Sequence, residues 1–157
     1  MQKIVFVFMV LLLSFGSALA GPDEDGIRAV MNGTWDKPDA KVEVSPLAIS
    51  GDHAIAGWTQ GDMGGRALLR RQHGHWIVVL CAGDDLLKAD ALKLAGVAPG
   101  RAAELLSRNV TAEQGIPAAR RAQFSKFEGL VTMDASGAHP PQSGNGAHGT
   151  SVHQSHK

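Results

Sequence analysis

Four histidines lie close together near the C-terminal end of the chain. His139, His148, His153 and His156 fall within an 18-residue stretch. Imidazole is a borderline donor that suits Cu(II), Zn(II) and Ni(II). Because short Gly- and Ser-rich segments close loops at little entropic cost, the spacing of these residues hardly restricts joint binding of one ion. The composition predicts a metal-binding segment, although a solvated linker that happens to be rich in histidine has the same composition.

Two methionines offer a softer donor. Met63 lies in a Gly-rich loop, and Met133 directly precedes the histidine-bearing segment. Thioether sulfur favours Cu(I). Single methionines more often fill gaps in a hydrophobic core, and Met31, which falls in an apolar stripe, is assigned to the core. Met63 and Met133 are therefore candidate copper ligands beside the four histidines.

Cys81 is the only cysteine, so the chain has no internal disulfide. It is a buried small hydrophobe, a metal ligand or an intermolecular thiol. His75, on the same predicted strand, lies roughly 20 Å away at about 3.3 Å per residue, which is too far for a Cys–His pair. His53 can approach only through tertiary packing. The chain also lacks a phosphate-binding glycine loop, H-E-x-x-H and G-x-S-x-G, so we predict that it is not an enzyme.

The N-terminal end has the pattern of a secretory signal. Lys3 gives a basic start, residues 4–13 are an apolar run, and small residues precede a cleavage point after Ala20. The apolar run is shorter than the roughly 20 residues that span a bilayer, so we predict cleavage rather than a retained anchor. Gly21 follows the cleavage point, which excludes lipoprotein attachment there. The mature chain is then residues 21–157, without a membrane span.

Composition divides the mature chain into one domain and a tail. Residues 134–157 contain no Leu, Ile, Met, Phe or Trp, so this segment cannot offset the entropy of folding and is predicted to be disordered. Residues 21–133 form a single predicted domain. Removal of Lys3 from the 15 basic residues leaves 14 against 15 acidic residues. This balance gives no general attraction for phosphate backbones and disfavours nucleic-acid binding.

The apolar pattern of residues 21–133 predicts an α+β domain. Residues 23–35 read as an N-terminal helix, and four short strands between residues 42 and 81 read as an antiparallel meander. In the last strand, alternation places Ile77, Val79 and Cys81 on one face and Trp76, Val78 and Leu80 on the other. Both sets are apolar, so the strand is predicted to be covered on both sides.

Three short helices are predicted after the meander. The first is capped by Asp84 or Asp85 and turns Leu87, Ala91, Leu94 and Ala95 inward. Pro99 can start the second and Pro117 the third, with residues 130–133 as a final extended piece. The outline of one helix, a meander and three helices loosely resembles cystatin-like or NTF2-like folds, which is an analogy only.

Five longer stretches carry a family resemblance. They are T-W-D-K-P (34–38), G-D-H-A-I-A-G-W-T-Q-G-D (51–62), G-G-R-A-L-L-R-R (64–71), H-W-I-V-V-L-C-A-G-D (75–84) and F-S-K-F-E-G-L-V-T-M-D (124–134). Together they resemble the copper uptake system-associated proteins, a family of small exported bacterial proteins, over nearly all of the mature domain. The resemblance implies a periplasmic location and a membrane copper-transport component as partner. It carries no ligand set, so the candidate ligands rest on donor chemistry.

Two functions remain open from the sequence. The first is a periplasmic copper-binding or copper-handling accessory protein associated with copper uptake. The alternative is a non-metal docking module, in which the sheet or its Trp58 edge binds a protein or a small apolar ligand and the histidines are incidental.

Overall fold

The structure of the chain is a computed structural model that describes residues 21–133. The predicted signal in residues 1–20 and the predicted disordered tail in residues 134–157, with its four candidate histidine ligands, lie outside the described residues. The described part is an α+β domain with four α-helices and a five-stranded antiparallel sheet.

The first helix, α1, runs over Pro22–Trp35, as its sequence pattern predicts. Proline at the first position and three acidic residues in the first turn suit a helix N-terminus. Ile27 and Met31 are completely buried one turn apart, so one face of α1 packs on the sheet. Beyond the helix, the Asp36 carboxylate accepts a hydrogen bond of 2.7 Å from the backbone nitrogen of Val42 and directs the chain into the first strand.

The sheet is a meander in which every strand pairs with its neighbour in the chain. Its strands are β1 (Glu43–Ser50), β2 (His53–Gln60), β3 (Met63–Gln72), β4 (His75–Ala82) and β5 (Leu130–Thr132). The sequence predicted a sheet of four strands, but the sheet of the described residues has five, because the final extended piece joins it as β5. Its three residues pair with the end of β4, and a strand this short gives no periodic signal of its own.

A β-bulge in β4 overturns the predicted assignment of side chains to faces. Leu68 pairs with Leu80 and Leu69 pairs with Val78, so Val79 is an extra residue with no partner in β3. The bulge shifts the alternation by one position. Cys81 therefore joins Val78 in one buried cluster, whereas Leu80 packs in the cluster on the opposite side. The expectation that β4 is covered on both sides is confirmed.

Of the three helices predicted after β4, the two assigned to Pro99 and Pro117 begin at or beside these prolines, and the first differs. After a 3-10 turn at Asp84–Leu87 come α2 (Ala89–Leu94), α3 (Pro99–Gln114) and α4 (Ala118–Phe124). The single helix predicted from Asp84 or Asp85 is wrong, since the 3-10 turn interrupts it. Leu86 and Leu92 are buried instead of Leu94, which is 79% exposed. The helix α3 has 16 residues, so it is not short.

Two hydrophobic clusters lie on opposite sides of the sheet. On the side that we call the α1 face, α1 covers Ala56, Leu69, Val78 and Cys81. On the other, which we call the α3 face, residues of α2 and α3 such as Leu92 and Leu105 cover Ile55, Leu68 and Leu80. None of the helices between residues 21 and 133 has the length and apolar character needed to cross a membrane.

Candidate functional site

The α1 face contains a cavity of about 150 Å³. Its lining residues come from the end of α1, the strands and the segment before β5, and they are Trp35, Val42, Trp58, Gln60, Cys81, Phe127 and Met133. The cavity lies where α1 ends at Trp35, so the helix does not fill this corner of the face. Five of the seven side chains are aliphatic, aromatic or thioether, and these seven described residues include no carboxylate or basic group.

Two aromatic rings form a fixed wall of the cavity. Trp58 and Phe127 meet edge to face, with ring centroids 5.9 Å apart and an interplanar angle of 80°, an arrangement that aromatic pairs favour. Gly65 in β3 makes room for them, because a Cβ atom there would lie 2.9 Å from both Phe127 Cβ and the Trp58 ring. A glycine is therefore required beneath this wall.

Gln60 ties the end of α1 to the sheet at the cavity. Its side-chain nitrogen donates to the backbone oxygens of Trp35, at 2.9 Å, and of Ala40, at 2.8 Å. These bonds use both amide hydrogens and hold the Trp35 end of the cavity in place. Within the described part of the chain, the Gln60 side-chain oxygen accepts no hydrogen bond.

Cys81 and Met133 bring two sulfur atoms to the same cavity. Cys81 pairs with Val131 across β4 and β5, and Met133, two residues beyond Val131, is fixed by a hydrogen bond of 3.0 Å from its backbone nitrogen to the Val79 oxygen. Both side chains line the cavity. The sequence prediction named Met133 as a soft ligand beside the four histidines but did not place Cys81 next to it, because the pairing of β5 with β4 spans about 50 residues of chain.

The Cys81 thiol is buried and neutral. It is 4% exposed, and burial raises its pKa from 9.0 to about 12. A thiol of this pKa is a poor nucleophile. Among residues 21–133, no imidazole lines the cavity beside Cys81.

Met63 and the three histidines of the described residues do not line the cavity. Met63 begins β3 and is 48% exposed. His73 and His75 are exposed at the β3–β4 turn. His53 begins β2, where burial, followed by the positive charge of Arg70, lowers its pKa. Among residues 21–133, no three side chains of His, Cys, Asp or Glu are grouped to hold a metal ion.

The α3 face contains an ionic cluster around a buried arginine, which sequence reasoning missed. Arg66 is 3% exposed, and its Nε and Nη2 donate to the two carboxylate oxygens of Glu113 at 2.6 and 2.9 Å. Its Nη1 donates to Asp84 at 3.0 Å, and its guanidinium lies 5.4 Å from the centre of the Phe124 ring. We call these four residues the Arg66 cluster. They join β3, the 3-10 turn, α3 and α4, and no local motif marks them.

The hydrogen bonds of the Arg66 cluster hold α3 and the 3-10 turn against β3. Burial disfavours the ionised form of Glu113, but hydrogen bonds from Arg66 and Asn109 outweigh this effect and lower its pKa. Asn109 Nδ2 donates to Glu113 at 2.9 Å, and Ser125 donates to Asp84 at 2.8 Å. Because these carboxylates are already engaged, the cluster offers neither a general base nor a metal site.

Comparison with protein-family models, with curated proteins and with solved structures gave no match for the chain. The cavity with its two sulfur atoms is therefore the candidate site that geometry and donor chemistry support, and its interpretation rests on the residues themselves.

Proposed function

We propose that this chain is an exported copper-handling accessory protein that works beside a membrane copper-transport component. In this account the imidazoles of residues 134–157 bind the ion and the domain of residues 21–133 docks the partner. The role is one of binding and transfer rather than catalysis. The family resemblance and the donor set of the C-terminal segment support the proposal.

One observation carries the proposal from the structural side. Met133, which lines the cavity, is followed directly by the histidine-bearing segment. His139 is only six residues further along the chain, and six residues span at most about 22 Å. A sulfur donor that suits Cu(I) and a nitrogen donor that suits Cu(II) are therefore separated by only a short length of chain.

A titration with Cu(II) tests this function. In the four-His variant, His139, His148, His153 and His156 are all replaced by alanine. We expect the purified protein to bind Cu(II) and the four-His variant to lose at least 100-fold in affinity, because it lacks the imidazole ligands. The matched control replaces His53, His73 and His75 instead. It should bind like the parent, since those residues form no metal-binding group. Equal affinity of the parent and the four-His variant would refute the proposal.

The apolar lining of the cavity favours a second candidate, a docking module that needs no metal. A cavity of about 150 Å³ is the size of engineered apolar cavities that bind benzene. Under this alternative the cavity takes a single aromatic ring, either of a small ligand or of a partner side chain. Binding of toluene that quenches tryptophan fluorescence, unaffected by a chelator and abolished by Val42→Phe, would support it. An unchanged fluorescence spectrum would count against it.

A further inference from the structure

We propose that the cavity on the α1 face binds one soft monovalent metal ion, with the sulfur atoms of Cys81 and Met133 as its ligands. This inference deepens the proposed copper handling and rests on it, since it adds a second, buried site to the imidazoles of residues 134–157. Thiolate and thioether sulfur are the donors that select Cu(I).

The backbone places the two sulfur atoms within joint reach of one ion. Cys81 lies opposite Val131 in the β4–β5 ladder, so Met133 is its diagonal neighbour. Diagonal neighbours are about 7–8 Å apart at the backbone, a gap that long side chains can close. Metal–sulfur bonds are about 2.3 Å long in zinc sites, and methionine has three rotatable bonds with which to adjust its sulfur. Both side chains already face the same cavity.

The electrostatics of the cavity select the charge of the ion. A low-dielectric site penalises any net charge, and Cys81, which is only 4% exposed, lies in such a site. A monovalent ion bound to one thiolate and one neutral thioether forms a neutral unit. A divalent ion would leave one positive charge in a cavity whose lining contains no carboxylate. The site therefore prefers Cu(I) or Ag(I) to Zn(II), although zinc also binds thiolates.

The remaining walls support the same selection. The indole rings of Trp35 and Trp58 line the cavity, and aromatic ring faces attract cations. The edge-to-face contact of Trp58 with Phe127 holds one of these rings in position. Besides the two indole N–H groups, which can only donate hydrogen bonds, the polar side chain among the seven described lining residues is the Gln60 amide. These residues therefore offer little to the hard cations that prefer several oxygen ligands.

Binding is an exchange of a proton for the metal ion at Cys81. The S–H bond breaks, a sulfur–metal bond forms, and the proton passes to water, with no change of oxidation state in either sulfur or metal. A cysteine thiol ordinarily has a pKa of about 8.5, so it is protonated in the metal-free protein at neutral pH. Each ion bound therefore releases one proton, and the affinity falls about tenfold for each unit by which the pH is lowered.

The experiment titrates the four-His variant of the full chain with Ag(I), a soft monovalent ion that is stable in air. We expect one ion per chain, one proton released per ion, and at least 100-fold tighter binding of Ag(I) than of Zn(II). Cys81→Ala should lower the Ag(I) affinity at least 100-fold and Met133→Leu at least tenfold. Met31→Leu is the matched control and should change nothing, because Met31 lies in the core and does not line the cavity.

Several results would overturn the inference. These are no Ag(I) binding by the four-His variant, equal affinity after Met133→Leu, binding without proton release, or Zn(II) affinity equal to that of Ag(I). Met133→Leu and the proton count keep the test decisive if Cys81→Ala does not fold. The proposal that the imidazoles of residues 134–157 bind copper can fail independently. It is tested by the Cu(II) titration of the parent and the four-His variant.

Discussion

The two faces of the sheet differ in how completely side chains fill them. The α3 face is closed: leucines from α2, α3 and the strands fill it, and the buried Arg66 guanidinium fastens α3 and the 3-10 turn to β3 with ionic hydrogen bonds. On the α1 face a 14-residue helix stops at Trp35, and the corner beyond it is a cavity walled by aromatic and sulfur side chains. Both faces have a buried apolar cluster, but the α1 face also keeps an unfilled space that can take a ligand.

The bulge at Val79 is what gives the cavity its chemistry. Without the extra residue, Cys81 would point to the same side as Val79, towards the α3 face, where leucines pack. With it, the thiol turns into the α1 face beside Met133. A single inserted residue thus decides which face receives the cysteine. This fits the frequent occurrence of bulges where a strand must redirect a side chain next to a functional site.

The largest effect on stability is expected when the ion pair of Arg66 on the α3 face is removed. Arg66→Met leaves the Glu113 carboxylate, whose side chain is only 13% exposed, without its cation, and losing one partner of a buried ion pair costs about 3–5 kcal/mol. The free energy of unfolding, measured in urea, should fall by this amount. Arg71→Met is the control on the α1 side. Its partners Asp23 and Asp52 are far more exposed, so its loss should stay below about 1 kcal/mol.

Truncation of an apolar side chain should also cost more on the α3 face. Leu105 is completely buried, and Leu105→Ala should lower the free energy of unfolding by about 2–5 kcal/mol. Met133 is only partly buried and already borders a cavity, so Met133→Ala should cost roughly 1 kcal/mol. Urea denaturation of both variants measures the contrast. Equal losses would mean that the cavity wall is as tightly packed as the closed face.

The buried thiol predicts an alkaline weakening of the α1 face. In the unfolded chain Cys81 ionises near pH 9, whereas in the folded domain its pKa is about 12. The folded form binds the proton more tightly, so its stability advantage is complete below pH 9 and is lost as the pH rises towards 12. At pH 10 the thiol should already have lost about 1.4 kcal/mol of that advantage.

The comparison of the parent with Cys81→Ala isolates this effect, because other groups titrate equally in both proteins. The chain has no tyrosine, which removes one common alkaline contribution. The difference in the free energy of unfolding between the two proteins should shrink from pH 8 to pH 10. A difference that stays constant over this range would show that the thiol is not buried in the folded domain.

The smallest effect is expected at His53, at the edge of the α3 face. Burial, then the charges of Arg70 and Arg101, lower its pKa, against the opposing effect of Asp52. The folded form therefore binds the proton less tightly, and stability is lost as the pH falls below 6.5. An NMR titration should show an imidazole pKa below 6.5, and His53→Gln should reduce the acid destabilisation. A midpoint at or above 6.5 would contradict this account.

Local sequence patterns predicted much of the fold. The apolar stripe around Ile27 and Met31 predicted α1, and Pro99 and Pro117 marked the starts of α3 and α4 within one residue. These features are determined by residues a few positions apart. The pairing of β5 with β4, the bulge at Val79 and the Arg66–Glu113 pair were missed. Each depends on contacts between distant residues or on a local register shift, and alternation or helical periodicity encodes neither.

The candidate site was predictable only in part. The soft donor Met133 was recognised from its type, and Cys81 was left open among three interpretations, because nothing in the sequence fixes which face of β4 it occupies. The structure brings the two together only through the bulge and β5. The four histidines lie outside the described residues, and their metal binding stays a prediction.

The most direct test of the account is X-ray absorption spectroscopy of the protein loaded with one equivalent of Cu(I). The account predicts sulfur ligands at about 2.3 Å, the length of zinc–thiolate bonds, in the parent and equally in the four-His variant. Met133→Leu should reduce the number of sulfur ligands by one and Met31→Leu should not. A copper environment made only of nitrogen and oxygen in the parent would contradict the assignment of the ion to Cys81 and Met133.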